Sequence, residues 1–109
     1  VARDAGLEHL LHEHLGAMPG LSGKAMFGGY AWLLDGHLLC GARDDSVLLR
    51  LGKGNDRWAL ERRGVVPMVM GERPMHGWVR VAAEAFGDDA FARELLDAAL
   101  AFVRSLPPK

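Results

Sequence analysis

The chain has 109 residues, of which 25% are charged and 50% apolar. That is ordinary globular composition, so disorder is excluded as the default, and the length suits one domain over residues 1–109. Thirteen Lys and Arg against fourteen Asp and Glu give a net charge of −1, which argues against a polycation built for nucleic acid or anionic lipid.

Leu7, Leu10, Leu11, Leu15 and Met18 follow helical spacing and predict an amphipathic helix over 4–17, ended by Pro19-Gly20. Met26–Leu34 reads as the first strand, with Tyr30, Trp32 and Leu34 in alternation. Asp35-Gly36 is a two-residue hairpin signal, because both turn positions tolerate positive φ. His37–Arg43 and Ser46–Leu51 follow as strands, separated by the turn Asp44-Asp45. In the latter, Val47, Leu49 and Leu51 share one face and Leu48 and Arg50 the other. Asn55 or Asp56 caps a short helix to Arg63, with Gly64 as its stop.

Val65–Met70 is a fourth strand, and Pro67 within it marks an edge or a bulge. Gly71–Pro74 forms a turn before a fifth strand over Met75–Val81. Asp88 or Asp89 then caps a long helix to Leu106, stopped by Pro107-Pro108, whose broad apolar face covers the sheet. The predicted order is α-β-β-β-α-β-β-α. This is an α+β fold with a five-stranded, mainly antiparallel sheet packed against terminal helices.

Cys40 is the single cysteine, so no internal disulfide forms. It lies in an apolar strand and predicts a buried thiol in a reducing cytoplasm. No apolar run is long enough for a membrane span. His9 with Glu13 and Glu8 with His12 share i,i+4 spacing on the first helix, but no third ligand is legible, and solvated helix surface is the expectation. Gly28-Gly29 and Gly52-Lys53-Gly54 lack the spacing of dinucleotide or phosphate-binding loops. An anion near Lys53 and Arg57 is the generic alternative. No nucleophile, base and acid form a set, so neither a catalytic residue, a metal site nor a cofactor is assigned.

Residues 43–80 carry eight cations and five acids, whereas 1–42 and 81–109 each have two more acids than cations. The basic middle, with Trp58 and Trp78, would suit an acidic partner or nucleic acid, but a net +3 is weak beside a dedicated nucleic-acid module, and a mixed solvated surface is the expectation. Two segments combine a cation, glycine and an aromatic. They are Lys24-Ala25-Met26-Phe27-Gly28-Gly29-Tyr30 and Arg73-Pro74-Met75-His76-Gly77-Trp78-Val79. The candidate binding residues are therefore Lys24, Phe27, Gly28, Gly29, Tyr30, Arg73, Pro74, Met75, Gly77 and Trp78. Their glycines also suit a purely geometric role, admitting close backbone approach.

These two segments carry a resemblance. Met26-Phe27-Gly28-Gly29, Leu34-Asp35-Gly36-His37, Leu49-Arg50-Leu51-Gly52 and Arg73–Val79 stand in the order found in the N-terminal domain of the TfoX/Sxy family. The closing Ala101–Lys109 resembles the family's stand-alone members. Lys24 stands where an Arg is common and His76 where a Lys is common.

The resemblance implies a fold like secretion-chaperone and YjbR-type domains, with a curved sheet between helices. It further implies kinship with two-domain regulators of natural competence that act with the cyclic-AMP receptor protein. It supplies no catalytic residues. The expected function is thus a non-catalytic interaction or regulatory module with a protein partner, for which the resemblance points to the transcription machinery, and with self-association as a homodimer. The alternative is a small-molecule-binding or enzymatic domain with a pocket near Phe27, Tyr30, Arg73 and Trp78.

Overall fold

Extended segments can bury one face when apolar residues recur at every second position. Six extended segments, five of them of this kind, pair into one antiparallel sheet in the computed structural model, which describes residues 5–16, 18–26, 29–43, 45–70 and 72–107. The chain runs α1 (Ala5–Leu15), β1 (Leu21–Met26), β2 (Gly29–Leu34), β3 (His37–Ala42), β4 (Ser46–Arg50), α2 (Arg57–Leu60), β5 (Val65–Met70), β6 (Arg73–Ala82), α3 (Ala83–Phe86) and α4 (Asp89–Arg104). Across the sheet the strands are ordered β1-β2-β3-β4-β6-β5.

Two transverse rows of side chains make the inner face. One is Gly23, Trp32, Cys40, Leu49, Val79 and Pro67; the other is Ala25, Tyr30, Ala42, Val47, Val81 and Val65. Leu7, Leu11 and Leu15 of α1 and Phe91, Leu95, Leu96 and Val103 of α4 close over these rows. Phe86 of α3 and Ala59 of α2 join the same core, both fully buried. Each large apolar side chain so buried stabilises the fold by about 1.5–3 kcal/mol. The described helices all lie on this side. The sheet is therefore one of two layers and is not flanked by helices on both faces.

The sheet has six strands, not five. Leu21–Met26 is the addition. It sits at the sheet edge with most of its side chains in solvent, so it carries no apolar alternation to announce it. The ring of Tyr30 lies over Gly23, where a Cβ would come within 2.6 Å of it. A cross-strand aromatic thus replaces the missing side chain.

Other expectations hold in detail. Asp35 (φ 52°) and Gly36 (φ 85°) form the hairpin with positive φ at both positions. β5 spans Val65–Met70 as read, lies at an edge, and shifts register between Pro67 and Val69. In β3 the register shifts opposite Trp32 and Leu33, and Leu39 and Cys40 are both fully buried. Asp44 and Gly71, placed in turns by the sequence, lie outside the described residues.

The middle helix is shorter than expected. It spans only Arg57–Leu60, and Asp56 stands at its N-cap without a side-chain bond. The predicted fifth strand starts earlier, at Arg73. α3 was not expected, because a single turn leaves no periodicity to read. α4 begins after Asp88, whose Oδ1 accepts the Phe91 N–H at 3.2 Å. At the other end of the chain, His37 Nε2 donates to the Pro107 carbonyl at 2.6 Å and ties the segment after α4 to the β2–β3 hairpin.

Removing the α4 cap by Asp88→Ala should cost about 1 kcal/mol and lower Tm by about 5 °C. Asp88→Asn should keep most of that stability. Thermal unfolding followed by circular dichroism tests both.

Candidate functional site

The outer face of the sheet carries its own transverse row: Lys24, Ala31, Gly41, Leu48, Arg80 and Val66. Its centre is small, since Ala31 and Gly41 sit side by side in register. The surface is recessed there. Leu48 is nonetheless buried, at 7% exposure, although no described helix lies on this side.

A bulge supplies the cover. Pro74 pairs with Val69 and Val79 with Pro67, so the four residues Met75 to Trp78 stand opposite Met68 alone. Bulges bend a strand and re-aim its side chains. Here Met75 and Trp78, with Met68, Leu38 and Arg43, line a cleft above Ala31, Gly41 and Leu48. Its volume is about 100 Å³.

Gly77 makes the bulge possible. It is buried at φ +88°, and its carbonyl accepts the N–H groups of Leu51 (2.8 Å) and Gly52 (3.1 Å). A Cβ at this position would lie 2.5 Å from Lys53 N and 2.6 Å from the Gly52 carbonyl carbon. Only glycine fits a backbone crossing this close. Gly29 plays a similar part at the start of β2, where a Cβ would run into the Ala42 carbonyl oxygen. Gly29 and Gly77 thus each admit a close backbone approach that a side chain would block.

The ten sequence-selected residues separate. Met75 and Trp78 line the cleft directly, and Gly77 shapes it from behind. Tyr30 borders the cleft, but its ring is on the opposite, helix-facing side, edge-on to Trp32 at 5.1 Å. Its ring therefore shares no pocket with Trp78, because the two residues occupy rows of opposite sidedness. Lys24 is exposed on the outer face opposite Ala31. Arg73 and Pro74 are exposed at the start of β6, and neither lines the cleft. Phe27 and Gly28 lie outside the described residues. Sequence reasoning missed Leu38, Arg43, Leu48 and Met68, which come from three other strands and one connection. The split of Val47 and Leu49 from Leu48 was the available signal.

Cations surround this face. Arg50 lies 5.7 Å from the Trp78 ring centre and 5.3 Å from that of Phe102, a double cation–π contact. Arg80 donates to Ser46 Oγ at 2.9 Å and to Asp45 Oδ1 at 3.2 Å. Lys24, Arg43 and Arg73 have no ion-pair partner among the described residues.

Acid–base and metal chemistry find less support. Among the described residues, no three His, Cys, Asp or Glu side chains gather as a metal site. His9 Nε2 approaches Glu13 Oε1 at 2.9 Å on the solvated side of α1. Cys40 is fully buried, and loss of solvation raises its thiol pKa well above the usual range. A broad, open groove between α2 and α4, lined by Trp58, Phe102, Arg57 and Glu61, has a volume of about 770 Å³. It brings one carboxylate and one guanidinium to its walls and no nucleophile–base pair.

Two outcomes check this geometry. Gly77→Ala should destabilise by about 2–4 kcal/mol, from positive φ together with backbone overlap. Gly54→Ala, also at positive φ but with open space around its Cβ, should cost only about 1 kcal/mol. Urea titration reads both. Cys40 should resist a water-soluble thiol reagent in the native protein and react promptly in denaturant. Fast native labelling would show that β3 opens.

The family comparison covers most of the chain. The model of the TfoX N-terminal domain matches residues 13–103, a span that includes both glycine segments and the whole described sheet. Comparison with curated proteins and with solved structures yields no match. Among the described residues, no helix is long and apolar enough to cross a membrane. The glycine-dependent bulge, all six strands and nearly all of α4 fall within the matched span, which takes in only the last turn of α1, and the chain belongs to the TfoX N-terminal domain family.

Proposed function

We propose that the chain is a non-catalytic interaction module whose contact surface is the outer face of the sheet. The observation that carries this reading is the cleft itself. A sheet face free of helices is ordinarily polar, yet Leu38, Leu48, Met68, Met75 and Trp78 gather on this one around a recess. Pockets for drug-sized molecules run to roughly 300–1,000 Å³. The cleft, at about 100 Å³, suits a single side chain of a partner protein better than a metabolite. The open α2–α4 groove reaches the size for a metabolite but lacks convergent chemistry.

Kinship with competence regulators supports a partner in the transcription machinery, and the buried thiol of Cys40 supports a cytoplasmic setting. A second contact is favoured by the edge strand. Val66 and Val69 of β5 are 51% and 55% exposed, and we read them as the seam of a homodimer.

A photo-cross-linking residue at Met75, introduced in the native cells, should capture a reproducible set of proteins. The same residue at Arg93, on the helical layer, should not. Capture from Arg93 alone, or none from Met75, overturns the reading. A thermal shift of several degrees by a metabolite would favour the small-molecule alternative. For the homodimer, light scattering should give a dimer mass at high concentration and a monomer for Val69→Lys; a clean wild-type monomer removes it.

A further inference from the structure

We infer that the outer-face cleft receives a short acidic segment of a partner protein, with one bulky aliphatic side chain inserted between Met68, Met75 and Trp78. The inference rests on the interaction reading above and adds the chemistry of the partner.

Size sets the anchor. A cavity of about 150 Å³ accepts a benzene molecule. A cleft of about 100 Å³ with an open mouth therefore takes one Leu or Met side chain. Two methionines in its wall can adjust to either.

Charge sets the flanks. Arg43 lines the cleft, Lys24 stands beside it across Ala31, and Arg73 lies two residues before Met75 on the same strand. These three cations have no ion-pair partner among the described residues. Arg50 and Arg80, by contrast, are held by rings and by Ser46 and Asp45. Three cations without an ion-pair partner among the described residues thus flank the apolar recess, one in its wall and two on neighbouring strand positions, and carboxylates on either side of an anchor would meet them.

Other occupants fit less well. A two-fold dimer through this face would bring Lys24, Arg43 and Arg73 against their own copies. Nucleic acid would find only three such cations at the recess among the described residues, and residues 83–109 and 1–15 each carry two more acids than cations.

The test uses the full chain, isotopically labelled, and a synthetic peptide with a central leucine flanked by four aspartates. Amide shifts should move at Ala31, Gly41, Leu48 and Trp78 and not on α4. Replacing the central leucine by serine should weaken binding by about tenfold or more. Raising salt from roughly 50 mM to roughly 300 mM should weaken it severalfold. The exposed substitutions Lys24→Glu and Arg73→Glu should together abolish it, while Arg93→Glu leaves it within about twofold.

The inference is overturned by no outer-face shifts at millimolar peptide, or by equal binding of the serine peptide. It is equally overturned by tighter binding of single- or double-stranded DNA, or by self-association through this face without peptide. If Met75 cross-links persist in cells while the acidic peptide fails, the interaction reading stands and the acidic chemistry falls. If both fail, the interaction reading falls too.

Discussion

Everything on the outer face depends on one backbone crossing. The Gly77 carbonyl takes the N–H groups of Leu51 and Gly52, just past the end of β4, and the crossing leaves no room for a Cβ at Gly77. That contact lets β6 leave its partner β5, bulge, and rejoin the sheet beside β4 in a new register. Had β6 run straight, Met75 and Trp78 would alternate across the two faces like ordinary strand residues. The bulge brings both to one side and closes them over Leu48. The buried apolar layer on the inner face can then remain a conventional helix-on-sheet core, because the irregularity is confined to one strand.

The two faces of the sheet divide the work. Inside, the rows through Trp32 and Tyr30 meet α1 and α4 and account for nearly all large buried side chains. Outside, small residues at Ala31 and Gly41 leave a recess that no described element fills. Charge is uneven along the chain, with cations concentrated from β3 to β6 and acids toward the two ends, and one of those cations, Arg62, belongs to the helical layer, where it pairs with Glu94 of α4. Such an asymmetry orients an approaching partner before contact is made.

Much of the inner face was legible in the sequence, and for definite reasons. Asp35-Gly36 has the positive φ that its residue types admit, Pro67 sits on an edge as its missing N–H requires, and Asp88 caps α4. β1 was not legible, because a strand exposed on most of its surface needs no apolar alternation and Gly23 borrows a ring from Tyr30. The cleft was legible only in part. Met75, Gly77 and Trp78 stood out, but grouping Tyr30 with Trp78 required knowing on which face each falls. That depends on registers and bulges in β3 and β6, and these arise from pairing between strands, not from local spacing.

The strand order has a consequence for how the molecule assembles. β1 to β4 pair only with sequence neighbours among themselves, and β5 with β6 forms a second hairpin. One seam, β4 against β6, joins the two units across the intervening α2 and β5. Local hairpins close quickly, whereas a seam between distant segments must meet its loop entropy before any contact rewards it. Of the strand pairings, the docking of β6 onto β4 therefore closes the longest loop. The residues that meet at that docking, from Leu51 to Lys53 and at Gly77, are the same ones whose close crossing goes with the bulge behind the cleft.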